Sequence, residues 1–289
     1  MKAAKFKYIR PSSLDEAINL LSDFGEEARI LAGGQSLLPT LNMRLSQPKV
    51  LIDINRLDEL QGISHEGKHI RIGALTRHVD IAESDLITEN IPLISEAIEY
   101  VAHVAVRNRG TFGGSVALAD PAAEMPACTL ALQGTLVVEG PNGRRQIRAD
   151  DFFHDLYETA RAPEEILVEV QLPIRRSGES FAFMELSRRK GDYAMAGLAC
   201  KATFQDNRFL SVRLVYFGTE LKPTLGENVM SQLEGREWSE TLAEKVIASL
   251  EDDLDPVDNL QGSAAMKLHL QKVLTKRTLA EVVQRLGNV

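Results

Sequence analysis

Cysteine is nearly missing from this 289-residue chain: only Cys128 and Cys200 occur, far apart and each in an apolar setting. An iron–sulfur cluster needs about four thiolate ligands, so the chain carries none, and any electrons drawn from such a cluster come from another polypeptide. Both thiols are expected to be free and buried. Long apolar runs are missing too, since none approaches the roughly 20 residues that span a bilayer. The N-terminal MKAAKFKYIRP is basic without an apolar core, so no secretory leader is expected there. An excess of positive charge is absent: the net charge is −8 and the pI about 5.4, which argues against a nucleic-acid partner and suits a cytoplasmic protein. No G-x-G-x-x-G follows a strand and no G-x-x-x-x-G-K-[ST] occurs, so Rossmann and P-loop readings lack support. No Ser/His/Asp or Cys/His arrangement is discernible. His65 and His69 stand four apart, but Gly67 between them predicts a hairpin tip, not a helical metal site. No catalytic residue and no metal ligand is assigned.

What the chain does contain is a repeated glycine pair. Ala32-Gly33-Gly34-Gln35-Ser36-Leu37 lies between an apolar run (Ala28, Ile30, Leu31) and a segment with helical spacing. Adjacent glycines remove side chains where the backbone bends or approaches something closely. Such a pair is either only a turn, or a cradle of amides for an anion such as a pyrophosphate. Thr111-Phe112-Gly113-Gly114-Ser115 repeats the pattern and leads into a proline turn carrying Asp120 and Glu124. Two such turns suit a ligand with two phosphates and a polyol chain. Amides would hold the phosphates, while Asp120 or Glu124 accepts hydrogen bonds from ribose or ribityl hydroxyls.

Taken in order, residues 1–57 read as a β-α-β-α-β unit, which favours a parallel sheet. Ser13 to Glu16 predicts a capping box for a helix bearing Leu14, Ala17, Ile18 and Leu21, with Gly25 as its stop. A second helical piece is expected through Leu41 and Leu45. Residues 58–175 hold strand candidates at 69–73, 136–138 and 166–170, a helix capped by Thr76, and a helix begun by Pro92 and running to about Ala102. A polar link at 175–179 is the expected domain boundary. Beyond it come strands at 181–186, 198–204 and 212–217, then helices near 240–250 and 263–286, a small α+β domain. The acidic run at 251–253 reads as a solvated loop.

The stretches LAGGQSLLPTLNMRL and RNRGTFGGSVALADPAAEMPA resemble the FAD-binding (medium) subunit of the molybdenum hydroxylases. That family includes the carbon monoxide dehydrogenase medium subunit, the nearest type, and the flavin domain of xanthine dehydrogenase. The resemblance extends over nearly the whole chain, through SRRKGDYAMAGLA. It implies an α+β fold: a PCMH-type (vanillyl-alcohol-oxidase-like) two-lobed FAD-binding domain over 1–175, with lobes of about 1–57 and 58–175. A C-terminal domain of the carbon monoxide dehydrogenase flavoprotein type follows over 178–289, three antiparallel strands packed with helices. By resemblance, residues 32–36 match the first phosphate-binding turn and 111–115 the second. Glu124 stands where the family has a carboxylate facing the ribose or ribityl chain, and Leu167 and Val101 match apolar positions near the cofactor. Tyr193, next to Gly191-Asp192, is either a half-buried residue of an ordinary turn or an aromatic lying over the isoalloxazine ring, and the resemblance favours the ring.

The function implied is electron relay. A molybdenum centre on a large molybdopterin-binding subunit oxidises the substrate, [2Fe-2S] clusters on a small iron–sulfur subunit pass electrons singly, and this FAD-carrying chain delivers them in pairs to NAD, oxygen or quinone. The expected assembly is a cytoplasmic dimer of heterotrimers, a heterohexamer. One departure concerns Met184, matched to a lysine near the flavin in xanthine dehydrogenase; Arg188, Arg189 or Lys190 either supplies the missing charge or is solvated surface. Two rival readings remain open: a self-sufficient flavin oxidase of the vanillyl-alcohol-oxidase type, and a non-catalytic assembly subunit whose glycine pairs are only turns.

Overall fold

The alternating pattern at the start of the chain folds as its spacing predicts. In the computed structural model, which describes residues 2–287, strands Lys7–Ile9, Val50–Asp53 and Ala28–Leu31 form a parallel sheet in that spatial order. Helix Leu14–Phe24 packs against it and buries Leu14, Ala17, Ile18 and Leu21. Ser13 Oγ accepts the amide of Glu16 at 3.1 Å, but the Glu16 carboxylate reaches back to Ser12, not to Ser13, so the expected box closes one residue early. Gly25 ends the helix at φ +50°, a left-handed conformation that glycine adopts without steric cost. The next helix, Leu37–Asn42, stops before Leu45, which is exposed.

A five-stranded antiparallel sheet follows, with Ile166–Pro173 at its centre between His69–Gly73 and Thr135–Gly140. The hairpin Ile63–Glu66/His69–Gly73 turns at Gly67, as the glycine between two histidines predicts. The outer strand Gly143–Arg148 was not anticipated, because its Arg-Arg-Gln run carries no apolar alternation; it is an exposed edge. Between the strands lie short helices. Arg77, not Thr76, caps His78–Ala82, and the Thr76 hydroxyl donates instead to the Gly62 carbonyl at 3.0 Å. Helix Pro92–Ala97 ends well before Ala102, which sits at φ +43°. The Arg107 guanidinium holds the Val101 and Ala102 carbonyls at 3.0 and 3.1 Å, turning that segment out of helical geometry.

The last sheet pairs Glu179–Leu186, Ala196–Gln205 and Arg208–Phe217 antiparallel, and a short fourth strand, Thr224–Leu225, joins the three expected. Side chains alternate between its faces. Phe181, Phe183, Ala199, Val215 and Phe217 enter the core shared with the preceding helices, while Leu198, Cys200, Leu214 and Tyr216 face a second core with the C-terminal helices. Those helices are Glu227–Leu233, Glu240–Ala248 and Ala264–Gly287, the first missed in the sequence. Asp253, read as part of a solvated run, accepts the amides of Asn228 and Val229 and so caps that missed helix. With both faces covered, each buried Phe or Leu of this sheet contributes about 1.5–3 kcal/mol. The junction with the preceding part is also polar. Gly218 donates to the Pro121 carbonyl at 2.8 Å, Phe183 N–H to Glu96 at 3.2 Å, and Arg285 pairs with Glu96. Cys128 and Cys200 are both free and fully buried. No helix among the described residues is long and apolar enough to cross a membrane.

Candidate cofactor site

Where the three larger sheets meet, a cleft of about 1290 Å³ opens, and every residue singled out above for cofactor contact lines it except Phe112, which is buried in the core. Its volume exceeds the roughly 300–1,000 Å³ of ordinary ligand sites, which suits a dinucleotide. The first glycine turn and Leu37 form one wall, and Thr111, Gly113, Gly114 and Ser115 the facing one. Asp120 and Glu124 follow the latter, Val101 and Leu167 contribute apolar surface, and Tyr193 reaches in from the last sheet.

The first turn leaves its donors open. None of the backbone N–H groups of residues 33–37 donates to a protein acceptor, and all of these residues face the cleft. These residues are half-buried and their amides open onto the cleft, and a row of free amides along one wall fits an anion. Gly34 sits at φ +71°, and at Gly33 a Cβ would come within 2.5 Å of the Arg109 carbonyl oxygen. The Gln35 amide donates to the Gly33 carbonyl at 2.9 Å and stiffens the bend.

The second turn is built differently, which corrects the reading of two equivalent cradles. Its glycines are not a loop but the first turn of helix Phe112–Leu118. Gly113 N–H donates to the Ala74 carbonyl, Gly114 N–H to Thr111 Oγ1 at 3.1 Å, and Ser115 N–H to the Thr111 carbonyl. Its amides are therefore consumed inside the protein, and what it offers the cleft is side-chain hydroxyl and the helix N-terminus. Gly113 is glycine because a Cβ would lie 2.5 Å from Ala74 Cα, not because a ligand approaches.

Beyond the second turn the cleft is acidic. Asp120 accepts the Ala122 amide at 2.9 Å and the Tyr157 hydroxyl at 3.3 Å; burial still pushes its carboxyl above the usual range. Burial, reinforced by the Asp120 charge, lifts Glu124 to about 7. Burial and the charge of Asp120 hold the Tyr157 phenol at about 12. Tyr193 is raised by burial and by Asp120, and the hydroxyl of Ser36 in the first turn acts on it from across the cleft.

Three side chains that matter here gave no local signal in the sequence. Asn55 Nδ2 donates to the Ala32 carbonyl at 2.7 Å and to that of Leu31, and its Oδ1 accepts from Arg77 at 2.7 Å. Arg77 also donates to the Arg109 carbonyl, so this pair clamps the two turns together. His78 lies beneath Gly110, 4% exposed, with Nδ1 lacking any partner; burial, then the charges of Arg107 and Arg77, depress it to about 4. Met184, by contrast, does not line the cleft. It is partly buried against the second core, on the face of its strand turned towards the C-terminal helices. Of the basic run, Arg188 lines the cleft and donates to the Leu260 carbonyl at 2.9 Å.

This cleft, a parallel lobe and an antiparallel lobe facing each other with a third sheet behind, defines a flavin-binding class of protein. Residues 4–175 match the family model of the FAD-binding domain in molybdopterin dehydrogenase, and residues 181–282 that of the carbon monoxide dehydrogenase flavoprotein C-terminal domain. The chain belongs to this family: it is an FAD-binding medium subunit of the molybdenum hydroxylase type. It is 38% identical to subunit alpha of the 6-hydroxypseudooxynicotine dehydrogenase complex of Paenarthrobacter nicotinovorans, over 99% of this chain and 97% of that one. It is 37% identical to the carbon monoxide dehydrogenase medium chain of Hydrogenophaga pseudoflava, over 95% and 96%. The solved carbon monoxide dehydrogenase of Hydrogenophaga pseudoflava superposes with a TM-score of 0.96 at 35% identity, over 99% of both chains.

Proposed function

We propose that the cleft holds FAD, with the diphosphate on the open amides of residues 33–37 and the polyol hydroxyls near Asp120 and Glu124. Thr111 and Ser115 supply hydroxyls, Gly113 and Gly114 the close packing behind them, Val101 and Leu167 apolar contact, and Tyr193 a lid from the C-terminal domain. On this reading residues 1–175 form the two-lobed FAD-binding domain and 178–289 the C-terminal domain. When bound, FAD allows this subunit to take single electrons from iron–sulfur clusters of a small partner subunit and release them in pairs to NAD, oxygen or quinone. The chain's own residues bind and orient it, and Tyr193 governs access from solvent. The molybdenum centre and the choice of substrate belong to a large partner subunit, in a cytoplasmic dimer of heterotrimers. Relatives are named for carbon monoxide, 6-hydroxypseudooxynicotine and caffeine, which fits a substrate decided on another chain.

The observation that carries this is the run of unbonded amides facing the cleft. Amide hydrogen exchange tests it. Residues 33–37 should exchange fast in the flavin-free chain and become protected on adding FAD, while 113–115 are protected in both states. FAD binding with no new protection at 33–37 would overturn the placement. Metal and flavin analysis of the complex purified with its partners tests the relay; a complex without molybdenum or iron would overturn it.

A further inference from the structure

The cleft is edged on its acidic side by a residue that local turn chemistry would not choose. Strands Phe153–Asp155 and Glu158–Thr159 pair as a hairpin whose two-residue tip is Leu156-Tyr157. Tyr157 stands at φ +57°, a left-handed conformation that turns normally give to glycine or asparagine, because a bulky side chain is strained there. The core does not require an aromatic ring at this point. The hairpin is held at its base, where Phe152 and Phe153 are buried edge to face with ring centroids 5.1 Å apart. The Ala160 amide donates to the Phe152 carbonyl there at 2.8 Å. Tyr157, by contrast, is 54% exposed.

The side chain goes to the cleft instead. Tyr157, Glu158 and Thr159 line it, and Leu156, the other tip residue, does not. The Tyr157 hydroxyl donates to Asp120 Oδ2 at 3.3 Å, from 37 positions away in the chain. Asp120 Oδ1 accepts the Ala122 amide at 2.9 Å. Each oxygen of this carboxyl group therefore has one donor, and the group is fixed from two sides. A carboxylate offers about four acceptor positions, so capacity remains for a ligand's hydroxyls. Burial and the Asp120 charge keep the Tyr157 phenol protonated, and it remains the donor. Strained non-glycine backbone gathers at ligand clamps, and a local rule broken without a packing reason marks a functional position.

We propose that Tyr157 retains the cofactor: its hydroxyl orients Asp120 towards the polyol chain, and its ring covers that part of the bound FAD from the hairpin tip. This deepens the proposed function and rests on FAD lying in the cleft with its polyol near Asp120. The cleft then has two tyrosines at its rim, Tyr193 from the last sheet and Tyr157 from the hairpin. Tyr157 serves the riboflavin half of FAD and not the ADP half, whose diphosphate is held on the amides of residues 33–37. Its contribution is to slow release, since the ring lies over a ligand already bound.

Two variants of the full chain test this. Flavin-free Tyr157→Gly should melt within about 3 °C of wild type, because glycine adopts φ +57° without strain. A larger fall would show that the ring holds the fold, and would overturn the proposal. Release of FAD, followed by flavin fluorescence in stopped flow, should be about tenfold faster in Tyr157→Gly. In Tyr157→Phe, which keeps the ring and loses the hydroxyl, it should be only several-fold faster. ADP keeps the diphosphate and lacks the polyol and the ring, so by calorimetry it should bind wild type and Tyr157→Gly equally. Wild-type FAD release in Tyr157→Gly, or equal weakening of FAD and ADP, would overturn the role of Tyr157 and leave the proposed function standing. A wild-type chain that binds no FAD would sink the proposed function and this proposal with it.

Discussion

The two glycine pairs look alike in sequence and differ in what they do. At 33–37 the backbone turns its donors outward and makes no bonds with them; at 113–115 every donor is spent on Ala74 and Thr111. The first pair is glycine because the chain must pass through φ +71° at Gly34 and lie against Arg109–Gly110 at Gly33. In the second, Gly113 is pressed onto the strand end at Ala74, and at Gly114 a Cβ would come within 2.6 Å of the capping Thr111 Oγ1. A repeated motif therefore identifies two walls of one cleft, but only one is a ligand surface in its backbone. The other is a buttress that presents hydroxyls.

The sharpest way to break this contrast is to add one methyl to each side. Gly113→Ala puts a Cβ 2.5 Å from Ala74 Cα, a collision with backbone that no rotamer relieves. It should cost about 3 kcal/mol or more in a denaturant or thermal melt of the flavin-free chain. A melt within about 0.5 kcal/mol of wild type would mean the second turn is not a packed buttress.

The second turn also rests on His78, whose amide donates to the Gly110 carbonyl and whose ring lies under Gly110. The folded imidazole is depressed to about 4 from 6.5, so the folded state binds fewer protons than the unfolded chain below neutrality. Its contribution is fully present above pH 6.5 and lost as pH falls through about 4, a change of up to ~3 kcal/mol. His78→Gln should abolish that acid loss. Glu124 and Glu185, each raised first by burial, act in the opposite direction: they stabilise below about pH 4.5 and lose that contribution as pH rises through about 7 and about 9. Stability measured against pH should therefore fall on both sides, and His78→Gln should shrink the acid limb while leaving the part set by the depressed carboxyls of Asp53, Glu165 and Glu169.

The clamp between the turns ranks next. Arg77→Met keeps the stem but removes the donors to Asn55 and Arg109. One of these bonds is exposed and the other partly buried, so losing each costs about 0.5–1.5 kcal/mol, and here the loss should appear as FAD binding weaker by about tenfold in a fluorescence titration. Equal affinity in the variant would show that the walls hold their spacing without the clamp.

Much of this was legible from local chemistry. The β-α-β start, the Ser13 cap, the Gly25 stop and the Gly67 hairpin each rest on a residue acting within a few positions of itself. The two glycine pairs were legible because they are local as well, whereas Val101, Leu167 and Tyr193 were reached through the family resemblance. What escaped depends on distance or register. Nothing near Asn55 in sequence announces Arg77, and nothing near Asp253 announces the helix it caps. A glycine pair inside a helix reads like one in a loop until the Thr111 cap is seen. Met184 belongs with these: a strand's faces exchange at every residue, and nothing local says that this methionine turns towards the C-terminal helices and away from the cleft.

The smallest effects separate conformation from contact in the first turn. Gly34→Ala must hold alanine at φ +71°, which costs about 1 kcal/mol, and its Cβ meets only the flexible ends of Leu31 and Leu38 at 3.1 Å. The flavin-free chain should lose that amount, and FAD affinity should fall several-fold because the amides no longer point together. Tyr193→Ala is the complementary change. Tyr193 is 55% exposed, so its loss should alter stability by no more than about 0.5 kcal/mol. Because the side chain faces Ser36 and Asp120 across the cleft, the bound flavin's absorbance and its reoxidation by oxygen should nevertheless change. An unaltered spectrum and reoxidation rate would remove Tyr193 from the site and leave the first turn's backbone as the cofactor's main hold.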